Sequence, residues 1–167
     1  MTVIRMGNGD ILLHSPLAPT AELLDLLRDT FPGLGPSSKV HIISPSRSPE
    51  HWAFTRHWKE EFTDAEVWAV PGPHHRFMGV PVDHELHHDI PLPEPLGGEV
   101  EVSILEGTPV FREAVVFHRP SGVMMAADAL LDMEMDHSGT TDNPPGPGPD
   151  LGLPPARSNP RALGGEG

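Results

Sequence analysis

Short apolar runs alternate with proline- and glycine-rich breaks along this chain. Thr2–Met6 and Ile11–His14 are two such runs, separated by Gly7-Asn8-Gly9-Asp10. Asn-Gly between apolar runs predicts a hairpin, because both residues tolerate the positive φ of a type I′ turn. Pro16 and Pro19 stop the second strand. Thr20 stands where a hydroxyl can accept an orphan amide at a helix start, and Leu23, Leu24, Leu26 and Leu27 give that helix an apolar face. Pro32-Gly33 and Gly35-Pro36 end it. Lys39–Ser44, with Val40, Ile42 and Ile43, reads as a buried strand. Pro49 suits the first turn of a second helix running through Trp52, Phe54, Trp58 and Phe62. Glu66–Val70 is the next strand, closed by Pro71-Gly72.

The order so far is β-β-α-β-α-β, and strands alternating with helices imply parallel pairing through crossovers. Pro71–Gly98 has no steady period and reads as a long loop region containing six prolines and five histidines. Glu99–Leu105 then alternates polar and apolar residues as a half-buried strand does. Val110–His118 follows as a strand, Pro120-Ser121-Gly122 makes a turn, and Val123–Ala127 pairs back. The second half is therefore mainly antiparallel. The expected organisation is an α/β domain over residues 1–135 and a disordered tail over 136–167. In that tail Asn143–Pro149 and the closing Gly-Gly-Glu-Gly cannot build a packed core.

Composition narrows the partners. The 167 residues carry a net charge of −13, from 11 Lys and Arg against 24 Asp and Glu. That balance argues against nucleic acid, whose phosphates demand basic patches, and against anionic membrane surfaces. Eleven histidines soften the charge below about pH 6.5. With no cysteine there are no disulfides and no thiolate metal sites. No apolar run reaches the ~20 residues that span a bilayer, and the first residues have no signal-peptide pattern, so a cytoplasmic protein is expected.

Three segments carry candidate chemistry. Pro45-Ser46-Arg47-Ser48-Pro49-Glu50-His51 joins the carboxyl end of a strand to a helix start, where open α/β sheets place ligands. Glu50 and His51 offer an oxygen and an imidazole to one metal ion. Read alone, Glu50 also suits a helix dipole and His51 also packs beside Trp52, so the pair by itself is not a site. His14, at a strand end before Ser15-Pro16, faces the same cleft or else bonds the backbone. The second segment holds His74-His75 and His84-x-x-His87-His88-Asp89. These chelate Zn, Ni or Cu if brought together, and are otherwise a solvated polar loop. His84 and His88 share a face only in a helix, for which Pro81 and Pro91 leave barely two turns of room. The third is His118-Arg119-Pro120-Ser121, where Ser121 reads as a turn residue and no G-x-S-x-G elbow is present. Gly33-Leu34-Gly35 lacks the remainder of a dinucleotide fingerprint.

The layout resembles the first half of the metallo-β-lactamase fold. In that superfamily the loop after the corresponding strand reads T-H-x-H-x-D-H. Counting back from His51, Glu50 falls on the acid and Ser48 and Ser46 fall on two of the histidines. Glu106-Gly107-Thr108-Pro109 resembles the G-H-T-P-G segment without its histidine. Ala126-Ala127-Asp128-Ala129-Leu130 resembles G-D-x-L-F, whose aspartate bridges two metals. The stretch from about residue 3 to 131 also resembles a branch called domain of unknown function 4336. Its landmarks match Leu13-His14-Ser15-Pro16, Pro45 through Trp58, Val70-Pro71-Gly72, Val116–Ser121 and Asp128.

The resemblance implies a partial αββα sandwich, shortened at the C-terminus, with Glu50, His51 and Asp128 at the ligand positions. His14 and His118 would join its cleft. With so few ligands it implies a relative without efficient hydrolase activity that binds a small molecule or a protein partner. The alternatives are a mononuclear hydrolase of an ester-like substrate using one divalent ion (Zn, Fe or Mn), and a module that takes up metal through His84, His87 and His88. No bound metal at all is also compatible with the first reading. Loss of the closing helices would leave one sheet face exposed and favour a partner or a homo-oligomer.

Overall fold

In the computed structural model five strands form the first sheet: β1 (Thr2–Arg5), β2 (Ile11–His14), β3 (Val40–Ser44), β4 (Glu66–Ala69) and β5 (His84–Glu85), in that spatial order. β1 and β2 are antiparallel, and β2 through β5 run parallel. The second sheet is an antiparallel meander of β6 (Val100–Glu106), β7 (Arg112–His118) and β8 (Val123–Met125). The structure describes residues 1–72, 79–88, 90–107 and 111–129. The Pro/Gly-rich tail, His74-His75 and Asp89 lie outside the described residues. Residues 1–131 form one compact unit.

Side-chain alternation along the strands creates two cores. Ile11, Leu13, Val40, Ile42 and Val67 face α1 (Ala21–Thr30) and α2 (Thr55–Glu61), where they pack on Leu24, Leu27, Trp58 and Phe62. Leu12, Ile43, Trp68 and Val70 face the second sheet and pack on Val100, Ala114, Val116 and Met125. The first unit is thus layered helix, sheet, sheet. The outer face of the second sheet leaves Leu105, Phe117 and Met124 exposed. Among the described residues no helix is long and apolar enough to cross a membrane.

Several expectations hold in detail. Thr20 caps α1, its hydroxyl accepting the Leu23 amide at 3.3 Å. Others shift. The first hairpin closes with Gly9 alone at positive φ (94°), not with a type I′ pair. Asn8 instead turns its side chain onto the Asp10 amide at 3.0 Å. The helix expected from Pro49 through Phe62 is two pieces: a single 3-10 turn (Pro49–His51) and then α2. Trp52 leaves helical geometry at φ −139°, and its indole donates to the Arg47 carbonyl at 3.1 Å. The region read as loop contains the two-residue β5 and the short helix α3 (Leu96–Glu99). Pairing to β4 places β5, a constraint that local periodicity does not carry.

Candidate functional site

The carboxyl ends of β2 and β3 meet the second sheet at one rim. The Ser15 amide donates to the Ile43 carbonyl at 3.0 Å, so the chain beyond β2 stays beside β3. The chain beyond β3 then crosses to the second sheet. The Ala114 amide donates to the Pro45 carbonyl at 2.7 Å, and Ser46 makes an isolated bridge to Glu113. Arg47 donates to the Pro71 carbonyl at 2.9 Å, tying the same loop to the end of β4. The Ser46 hydroxyl accepts the Ser48 amide at 3.2 Å. The two serines at positions of the histidine motif therefore shape the loop.

This bracing aims the 3-10 turn at the segment after β8. His51 Nε2 lies 3.1 Å from Asp128 Oδ1, although 77 residues separate them. One ligand atom from each of Glu50, His51 and Asp128 lies within 4.8 Å of the others. Among the described residues this is the one group of three or more such side chains drawn so close. His51 is 15% exposed and Asp128 41%, so the cluster opens to solvent at an anchored imidazole. The other ring nitrogen, Nδ1, is 2.7 Å from Ser15 Oγ. Ser15 holds φ at 54°, the left-handed region that side chains other than glycine seldom adopt.

Two further residues shape the rim without having stood out in the sequence. Glu113 is fully buried and accepts the Ala127 and Asp128 amides at 2.7 Å each. Ser15 stood only inside the landmark Leu13-His14-Ser15-Pro16, with no role of its own. Neither has a motif of its own, since each acts through a partner distant in sequence.

His14 is 2% exposed, and its Nε2 has no hydrogen-bond partner among the described residues. Burial, then the positive N-terminus, then His51 push its pKa down to about 4, so the ring is neutral near pH 7. His118 is not brought to this rim. It ends β7, at the opposite end from Glu113, and meets Ser121 Oγ at 2.7 Å and Glu99 Oε2 at 3.3 Å. Ser121 is a turn residue before Gly122, as its position predicted. Nor do His84, His87 and His88 converge. His84 is in β5 and stacks on Trp68 with ring centroids 4.0 Å apart. His87 and His88 line an open hollow of about 570 Å³ with Pro71, Leu86, Ile104, Glu106 and Arg112.

The chain matches the family described as Domain of unknown function (DUF4336) over residues 1–151. It belongs to that family. No curated protein and no solved structure matches the chain.

Proposed function

We propose that this is a metallo-β-lactamase-like domain whose rim holds one divalent cation on Glu50, His51 and Asp128, and that it hydrolyses an ester-like substrate. The observation that carries the reading is the convergence of those three ligand atoms within 4.8 Å from two distant segments. Three protein ligands and an open side suit a hydrolytic metal site. The 3.1 Å separation of His51 Nε2 and Asp128 Oδ1 is close to the spacing of two ligands sharing one ion. With two carboxylates in the set, the donors suit Mn or Fe as well as Zn. A bound cation would supply Lewis acidity toward water or a carbonyl oxygen. With an ion held there, Ser15 Oγ would accept a hydrogen on Nδ1 and leave the Nε2 lone pair for the ion. Loss of the motif histidines at Ser46 and Ser48 limits the site to one ion.

The test uses tag-free full-length protein. Bound metal is counted by mass spectrometry, and turnover of nitrophenyl esters and phosphodiesters is followed with and without chelator. The expected result is metal-stimulated hydrolysis that disappears in His51→Ala and Asp128→Asn. Metal binding and turnover unchanged in both variants would exclude the reading.

A second reading rests on Ser15. The same contacts also form a Ser15–His51–Asp128 chain, with the serine in a strained turn just past a strand, as nucleophilic serines often are. In that case Ser15 Oγ attacks an ester carbonyl as its proton passes to His51 Nδ1, the C–O bond to the alcohol breaks and the alcohol leaves with that proton, and water then attacks the acyl-serine to release the acid and restore Ser15. The readings differ in which ring nitrogen carries the hydrogen. Chelator-resistant hydrolysis, with a fluorophosphonate label on Ser15 that His51→Ala abolishes, is the signature of the second.

A further inference from the structure

The first sheet carries a second cluster at its opposite edge. Asp10 precedes β2, and His41, Glu66 and His84 stand at the amino ends of β3, β4 and β5. His41 pairs in register with Glu66, and Trp68 with His84. His41 is 2% exposed. Its Nε2 lies 3.1 Å from Asp10 Oδ2, and an acceptor-only carboxylate assigns the ring hydrogen to that nitrogen. The buried Nδ1 has no hydrogen-bond partner among the described residues. What it faces is another acceptor, Glu66 Oε2, at 3.9 Å. His84 Nε2 reaches the same oxygen from the strand on the other side, at 3.6 Å. Lys39 occupies only Glu66 Oε1, at 2.6 Å, and leaves Oε2 to the two rings.

Two imidazole nitrogens facing one carboxylate oxygen from neighbouring strands are donors that a cation can gather. We propose that His41 Nδ1, Glu66 Oε2 and His84 Nε2 bind a first-row divalent ion of the zinc type, separate from the rim site. Asp10 serves as the outer carboxylate that orients the buried imidazole, an arrangement common behind metal-bound histidines. Two ligands on a tetrahedral zinc stand roughly 3.3 Å apart; Glu66 Oε2 is 3.9 Å from His41 Nδ1 and 3.6 Å from His84 Nε2, while the two ring nitrogens are more than 4.8 Å apart, so His84 must swing toward His41 to close the set. His84 is 42% exposed and closes the site by turning toward His41. Two imidazoles and one carboxylate select Zn²⁺, Ni²⁺ or Co²⁺ over Mg²⁺ or Ca²⁺.

Trp68 supplies the readout, because its ring stacks on His84. Chelator-treated full-length protein is titrated with Ni²⁺ while tryptophan emission is followed. The emission component that Trp68→Phe removes is expected to be quenched as one equivalent binds. His84→Ala, at the surface, is expected to abolish that quenching and to lower the bound-metal count by one, with an unchanged circular dichroism spectrum. Asp10→Asn is expected to weaken binding about 10- to 100-fold. His51→Ala should leave the quenching intact, so failure of the rim site and failure of this one are read separately. Quenching that survives His84→Ala, or that disappears in His51→Ala, would overturn the proposal.

Discussion

Glu113 holds Asp128 by its backbone: one buried carboxylate takes the amides of both Ala127 and Asp128 at 2.7 Å. Both bonds are charge-assisted and shielded from water, which makes them worth more than an ordinary surface contact. Glu113→Gln keeps the volume but turns one acceptor into a donor facing an amide. The variant is expected to lose roughly 2–3 kcal/mol in urea denaturation. Metal affinity at the rim should fall with it, as Asp128 loosens. Unchanged stability and affinity in Glu113→Gln would show that the segment is held by something else.

Ser15 combines an orienting hydrogen bond with an unfavourable backbone. At φ 54° any side chain with a Cβ costs about 1–2 kcal/mol, while glycine adopts the conformation freely. Ser15→Ala removes the bond to His51 and keeps the strain, whereas Ser15→Gly removes both. The glycine variant should therefore be more stable than the alanine variant by about 1 kcal/mol. Both should lose rim-metal affinity to the same degree. Thermal melting and metal titration of the pair check this, and an alanine variant as stable as the glycine one would refute the strain.

What the sequence made legible were the features that act locally. Thr20 and the leucine spacing of α1 report themselves within a few residues, as does the hairpin break around Gly9. The pairing of Glu50 and His51 with Asp128 was legible only through the order of motifs, because no local pattern joins positions 77 apart. Glu113 was hidden for a related reason: within Arg112–His118 it reads as one polar position of a strand. The histidine-rich region misled in the other direction. Its spacing invites a shared site, but pairing with β4 turns His84 onto Trp68 and toward Glu66. Tertiary pairing, which periodicity does not encode, decides which histidines meet.

His14 makes a pH prediction whose sign follows from linkage. Its pKa falls from the model-peptide 6.5 to about 4 in the folded chain, chiefly through burial. The unfolded chain therefore binds the extra proton first as pH drops. The favourable term is fully present above pH 6.5 and is lost progressively as pH falls toward 4. The total is roughly 3 kcal/mol, at up to about 1.4 kcal/mol per pH unit. Most carboxylates titrate below pH ~5, so the interval between pH 6.5 and 5 isolates the histidine contribution. His14→Gln has no proton to take up and should flatten the stability profile there by about one proton's slope, even though its absolute stability is lower. Urea midpoints collected across that interval in chelator-treated protein measure the slope directly. A parallel slope in the two proteins would mean that the ring titrates at its ordinary value and that burial does not hold it down.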